Sequence, residues 1–485
     1  MILSFVLLFG MVPDLGIRAQ AGDAEEEPAV AAEAAAEAEE EDAVAEVDVA
    51  EDDEAAEAEE DVPGDPDGYA YRLYVGNTQV SDTNKDDILG DGKGLVQYDP
   101  DSATLTLKEG ATITELNTDK KALIWAAEDL NICLEGAAVV SNTDASVKYG
   151  ILLTADENTE SVLAIGGTGS LSVEVSNDAM CGIRADGIVI ADTVQDLWVS
   201  GAYFALYYDK CGYVQKGGDV VAAGKGSGIH GGSDLTLDGG TLSVTVTAFP
   251  TDTSVGAWID DGMLIIRSKF GADGQRAAAY AKQGIVISDD YRMNPSVGVE
   301  GTYFPSIGDY DATAENPYKC FMEKAGQPAL VVDIEPYKEG ETAYDVWVGG
   351  IRVNSLNKDK LPGISDGSAY YNPDTNTLNL NDVKGFFHSK SWGVKTFTYN
   401  AFIWSKGSLN LRGSVDTAID PDGSTHKYLY YMSEEGTSEL DLTAKVTSPD
   451  DVFSAKRALS ISQVVNIPSS AGAARIPVRV SVRRM

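Results

Sequence analysis

The sequence predicts an all-β protein: two parallel β-helix (solenoid) modules, each preceded by a small antiparallel cap, behind a disordered acidic N-terminal tether. Three observations carry this expectation. Residues 71–109, YRLYVGNTQVSDTNKDDILGDGKGLVQYDPDSATLTLKE, return without a gap at 344–382, YDVWVGGIRVNSLNKDKLPGISDGSAYYNPDTNTLNLND, at a constant offset of 273. Between and after the two copies, short apolar strands recur with Gly or Asp turns at the spacing of a solenoid turn. Ahead of them lies a tract that carries acidic charge without basic partners.

From the N-terminus, Ile2 to Val12 form an apolar run of signal-peptide length, and Ala19-Gln20-Ala21 matches a small-residue cleavage pattern. Residues 1–21 are therefore expected to be a signal peptide, with the mature chain starting at Gly22. No Lys or Arg precedes the run, as would follow from a start placed inside a longer leader. The alternative is a buried N-terminal helix, which the charged tract that follows argues against.

Residues 22–68 are expected to be a disordered Ala/Glu/Asp-rich linker. Between Asp23 and Asp67 there are 22 of the 77 acidic residues and no Lys or Arg. Like charges repel, and alanine buries too little apolar surface to offset the entropy of ordering. An acidic interaction tail is the functional alternative. Residues 68–485 still carry 54 acidic and 35 basic side chains, which argues against nucleic acid or anionic lipid as a partner.

The first module is placed at 69–300, cap plus helix. In its cap, Leu73 and Val75 alternate onto one face, as do Leu105 and Leu107, separated by Asn, Asp, Gly and Pro. The two copies share Val75/Val348, Gly76/Gly349, Asn84-Lys85-Asp86/Asn357-Lys358-Asp359, Pro100-Asp101/Pro373-Asp374 and Leu105/Leu378. Rungs follow, with marker positions Leu123, Ile151, Ile183, Leu206, Ile229 and Trp258 at separations of 28, 32, 23, 23 and 29 residues. Glycine before isoleucine at Gly150, Gly182, Gly228 and Gly284 suits a tight corner beside a stacked aliphatic. A hairpin-built β-sandwich is the alternative, but the rungs lack the Asn-Gly and Asp-Gly turns that mark hairpins.

Residues 301–342, rich in Pro, Tyr and Gly, are expected to be a boundary loop or linker. The second module, 343–470, repeats the plan: Ala401-Phe-Ile-Trp404 then Leu409-Asn410 echo Ala122-Leu-Ile-Trp125 then Leu130-Asn131 at an offset of 279. Further pieces at Tyr428 to Met432, Leu440 to Leu442 and Leu459 to Ile461 extend a shorter helix. Residues 471–485 form a basic tail (Arg475, Arg479, Arg483, Arg484), as a truncated or frameshifted end would.

These residues resemble a family of secreted proteins from gut and soil Firmicutes described as carbohydrate-binding-domain proteins, related to a clostridial β-helical polysaccharide-binding protein. The resemblance rests on the Y-x-[LV]-[YW]-V-G…Y-[DN]-P-D-x-x-T-L-x-L block at 71–107 and 344–380, and on G-I…L-x-[IL]…G-x-L-x-V rungs, clearest at Gly150 to Val175 and Gly228 to Val246. It implies a right-handed β-helix and polysaccharide binding at the cell surface, in some members with calcium. The family contributes no binding-residue motif.

Candidate chemistry is sparse. Asp82-x-Asn84-x-Asp86 begins like a calcium loop, yet its sixth position is Asp87 and its twelfth Lys93, so a solvated turn is the expectation and no cofactor is required, with calcium left open. Four cysteines, Cys133, Cys181, Cys211 and Cys320, give neither a disulfide framework nor zinc spacing; Cys211 could pair only if Cys181 is its neighbour on the next rung. Three histidines, His230, His388 and His426, have no Ser or Cys partner in a nucleophile motif. Arg184 and Asp186 are the nearest thing to a lyase constellation, and a carboxylate pair for glycoside hydrolysis is not readable from sequence.

Aromatic residues offer more. In GAYFALYYDK, inward Ala202, Phe204 and Leu206 would put Tyr203 and Tyr207 outside, and Leu197 and Val199 inward would put Trp198 outside. Exposed aromatic faces favour glycans, because axial sugar C–H groups pack on them while hydroxyls reach polar neighbours. The bland alternative is packing under the loop expected at 209–224 or over an adjacent strand. The expectation is a secreted or cell-surface, monomeric glycan-binding protein without catalytic activity, using Trp198, Tyr203 and Tyr207 on a polysaccharide or cell-wall glycan, with no nucleic acid and no membrane insertion after signal removal. A structural surface stalk or adhesin with a protein partner, and a β-helical polysaccharide lyase, are the alternatives.

Overall fold

A computed structural model of the chain describes residues 70–155, 159–247, 254–298, 301–310, 318–324, 327–386, 390–394, 397–416, 425–433, 440–445 and 453–455. The leader, the acidic tether, the rung piece at Leu459 to Ile461 and the basic tail lie outside the described residues. The protein is all-β: among the described residues every regular element is a strand, and no helix is long and apolar enough to cross a membrane.

The duplicated block folds the same way twice. Ala70–Val75 pairs antiparallel with Thr78–Ser81 and with Ala122–Ala126, Val75 facing Ile124. Ala343–Val348 pairs antiparallel with Ile351–Asn354 and with Phe397–Ser405, Val348 facing Ile403. The shared V-G follows from the hairpin, since Gly76 and Gly349 both take left-handed φ, +59° and +54°. The shared asparagine is a backbone stitch: Asn84 Oδ1 accepts from Ser81 N and its Nδ2 donates to the Gln79 carbonyl, while Asn357 does the same with Asn354 N and the Arg352 carbonyl. Each block then delivers an antiparallel strand, Thr104–Lys108 or Thr377–Phe386, that pairs parallel with the strand beginning the next layer, Leu130–Glu135 or Asn410–Asp416.

From there the first half of the chain runs in three parallel ladders. The first joins Ala122–Ala126, Tyr149–Leu153, the first halves of Cys181–Ile190 and Phe204–Gln215, Ser227–Gly231, Val255–Ile259 and Ala277–Ala281. Its buried column is Ile124, Ile151, Ile183, Leu206, Ile229, Ala257 and Ala279. Four of the six expected markers stand in it; at the ends the register falls one residue away, on Ile124 instead of Leu123 and on Ala257 instead of Trp258. At the first end, Leu123 and Ile124 are both fully buried, so alternation gives no phase there.

The second ladder carries the column Ile132, Ile165, Ile190, Gln215, Leu237, Ile266 and Ile287. The third joins Ala137–Asn142, Ser170–Val175, Asp196–Ser200, Asp219–Gly224, Thr241–Val246 and Lys269–Asp273, with Val140, Val173, Val199, Ala222, Val244 and Ala272 inward. The corner glycines explain how the first and third ladders meet. A Cβ on Gly182 would lie 2.7 Å from the Ala205 carbonyl and closer still to Val199; one on Gly228 would lie 2.7 Å from the Ala222 carbonyl; one on Gly150 would meet Val173 and the Gly182 carbonyl. Gly284 differs from the expected set, because it opens a strand of the second ladder at φ +143° with only Met263 nearby.

Two expectations fail here. Residues 209–224 are not a loop: Phe204–Gln215 is one long strand with a register slip opposite Ala185 and Gly187, followed by Asp219–Gly224. Nor is 301–342 a linker. Tyr318–Lys324 pairs antiparallel with Ala277–Ala281, and Val331–Pro336 pairs antiparallel with Lys269–Asp273, so the segment closes the far end of the ladders and buries Phe321, Val332 and Ile334. Unpaired edges and open apolar ends invite association, and antiparallel return strands satisfy both.

Phe204–Gln215, with its register slip, carries two fully buried tyrosines, Tyr208 and Tyr213, with ring centroids 6.1 Å apart. Gly231 on the next rung leaves the room that the Tyr208 ring takes. Tyr213 Oη donates to Gln215 Oε1 at 3.0 Å, and Gln215 Nε2 donates to the Gly218 and Thr241 carbonyls, so this buried amide is committed on both sides. The Tyr208 hydroxyl is buried with no hydrogen-bond partner among the described residues. Tyr213→Phe is therefore expected to lower stability by about 1 kcal/mol, whereas Tyr208→Phe should leave it unchanged or raise it, as read from urea midpoints.

Candidate functional site

Outward positions of the first ladder form a continuous column. Arg184, Tyr207, His230, Trp258 and Tyr280 occupy the same register on successive strands, each one residue after its buried neighbour. Parallel strands lie about 4.8 Å apart, so flat side chains in one register fall into contact. The Arg184 guanidinium lies 5.1 Å from the Tyr207 centroid; Tyr207 and His230 stack at 5.2 Å and 16°, and His230 and Trp258 at 5.8 Å and 26°. Tyr280 and Tyr318 close the far end edge-on to Trp258, and Phe204 packs edge-on to His230 at 4.8 Å.

This column consumes the ring faces that a sugar would need. Tyr207 has the His230 ring stacked on it and the Arg184 guanidinium over it, and is itself half-buried. Phe204, expected inward, belongs instead to this outer cluster, its ring against Tyr203 and His230; both ladder pairings skip Ala205 between Phe204 and Leu206, at the glycine corner. Tyr203 lies across Gly226 of the next rung, where a Cβ would strike its ring, and packs edge-on against Phe204 at 4.7 Å. Tyr203 and Tyr207 are thus part of the wall.

His230 Nε2 donates to Asp260 Oδ2 at 2.8 Å, and the Tyr318 hydroxyl donates to Asp260 Oδ1 at 2.9 Å. Partial burial works to raise the Asp260 carboxyl, but the hydrogen bond and charge of His230, with the Tyr318 and Trp258 side chains beside it, outweigh burial and hold the group below the usual carboxylate range. A carboxylate with a depressed folded pKa stabilises the fold above its unfolded value near 3.9 and loses that contribution as pH falls through the folded value. Asp260→Asn should therefore be less stable than wild type at neutral pH, with the difference closing in acid; parallel urea titrations at pH 7 and pH 3 check this.

Trp198 stands elsewhere, on the third ladder, and is 49% exposed. Its neighbours in register are Ser172 on one side and Val221 on the other, followed by Ser243 and Gly271. None of these neighbours is aromatic or charged, and half of the indole is exposed. Asp196 and Ser200 flank it on its own strand, Ser170 and Glu174 lie on the strand before, and Asp219 and Thr241 continue the Asp196 column. The structure thus separates the expected triad: one open indole on a polar face, and two tyrosines packed on another ladder.

The other candidates disperse. Arg184 reaches Tyr149 Oη at 3.5 Å, while Asp186 accepts from Ser161 N at 2.8 Å and pairs with Lys210 at 3.7 Å, so the two do not converge. Cys181 is in register with Phe204 and all four cysteines are free. Burial pushes the Cys181 and Cys320 thiols up to about 12, far from thiolate reactivity. His388 lies outside the described residues, and of His426 only the backbone is described. Asn84 is committed to backbone, and among the described residues no group of three or more His, Cys, Asp or Glu is placed to hold a metal ion.

No family model matches the chain, and neither a curated protein nor a solved structure is similar to it.

Proposed function

We propose that this is an exported, non-catalytic glycan-binding protein, built as two right-handed parallel β-helical modules behind an acidic tether, and that the glycan lies on the outer face of the third ladder at Trp198. The helical reading is supported by three ladders in which each strand pairs parallel with the strand one turn later, and handedness by the near-universal right-handed crossover between parallel strands. The observation that carries the function is the exposed indole of Trp198 on a flat, hydroxyl-rich and carboxylate-rich face. An open aromatic face accepts the C–H surface of a sugar ring, and Ser172, Ser200 and Asp196 are within reach of its hydroxyls. Export rests on the leader at residues 1–21.

Pull-down of the intact chain on insoluble polysaccharides, with and without Trp198→Ala, tests this reading. Retention of the wild type and loss in the variant supports it. No retention of the wild type leaves the surface stalk, and release of unsaturated uronate product, read by ultraviolet absorbance, would make the protein a lyase.

A further inference from the structure

Three exposed carboxylates surround the open indole. Asp196 precedes Trp198 by two residues on the same strand and so shares its face; Glu174 is in register with Ser200 on the strand before, and Asp219 is in register with Asp196 on the strand after. Strand spacing of about 4.8 Å and a rise of about 3.3 Å per residue put all three within about 8 Å of the Trp198 Cβ. Asp196 accepts a hydrogen bond from the Ser170 hydroxyl at 3.1 Å, and among the described residues none of the three carboxylates has a cation in salt-bridge range. Following the Asp196 column, the next positions are Asp219, Thr241 and only then Lys269.

Resting on the glycan reading, we infer that the ligand at Trp198 is a glycan of glucosamine units with free, protonated amines. A sugar ring stacked on the indole places its ring substituents over Asp196, Glu174 and Asp219. An ammonium there gains from carboxylates that now lack a counter-charge and from the indole's own attraction for cations. A uronate at the same place meets three like charges and no basic residue. An N-acetylated or neutral sugar keeps the stacking and loses the charge attraction.

Calorimetric titration of the intact chain with short oligomers of glucosamine, N-acetylglucosamine, glucose and galacturonate tests the inference. The expected result is at least tenfold tighter binding of glucosamine oligomers than of the N-acetylated ones at low salt, with the gap narrowing as salt screens the charges. The triple variant Glu174→Gln, Asp196→Asn, Asp219→Asn should erase that preference while still binding, its fold checked by circular dichroism. Trp198→Ala should remove most of the binding, whereas simple polycation attraction to the acidic tract at 23–67 would survive it and overturn the assignment. Equal binding of amine and N-acetyl oligomers, or preference for galacturonate, overturns the amine inference and leaves glycan binding standing. Binding of none of the four overturns both.

Discussion

Trp198→Ala is expected to weaken glycan binding by about 10- to 100-fold, the range of a central aromatic anchor, and to leave the melting temperature unchanged. The indole is half-exposed and its register neighbours are Ser172 and Val221, so its removal opens no cavity. Tyr207→Ala should do the reverse. It deletes a ring clamped between Arg184 and His230, and so should lower stability while leaving affinity within about twofold. Titration calorimetry beside thermal melts of the two variants separates anchor from wall; loss of affinity in both would return the site to the first ladder.

Gly182→Val carries the largest expected cost to the fold, about 3 kcal/mol or more. The added side chain would enter the corner where the first and third ladders meet, with its Cβ 2.7 Å from the Ala205 carbonyl and nearer to Val199. Neither neighbour can yield cheaply: one is backbone within the strand Phe204–Gln215, the other a fully buried core residue. Because each strand of these ladders pairs with the strand before and the strand after it, damage at this corner should separate the ladders into a folded and an unfolded portion. Hydrogen exchange is expected to show protection lost around 181–206 first. A variant as protected as wild type would contradict the packing described for this corner.

Much of this was legible in the chain. The 273-residue offset of the block and the later 279 offset reappear as pairing, Val75 with Ile124 and Val348 with Ile403. The glycine-isoleucine pairs marked the corner because only a residue without a side chain fits there. What was missed has physical causes. The segment 301–342 reads as a loop by its Pro, Tyr and Gly content, although Val332 and Ile334 alternate with Asp333 and Glu335 as a strand should. The pairing skips Ala205 at the glycine corner, so alternation counted back from Leu206 puts the Phe204 ring on the wrong side. Tyr207, His230 and Trp258 were visible as separate residues, and their stacking depends on a register that sequence spacing leaves uncertain by one position.

The open indole and the stacked column also divide the labour of the fold. The first ladder spends its aromatic surface on itself, joining strand to strand through Tyr207, His230 and Trp258, with Asp260 hydrogen-bonded to His230 and Tyr318. The third ladder keeps its outer side flat with Ser172, Val221 and Ser243, which leaves Trp198 as its exposed large aromatic side chain.

The most direct test of a binding function at Trp198 is a glycan array probed with the intact wild-type chain and with Trp198→Ala. The wild type is expected to be retained on a restricted set of glycans, without altering them, and the variant not to be retained. An array on which the wild type binds nothing, or on which wild type and variant bind alike, would contradict that function.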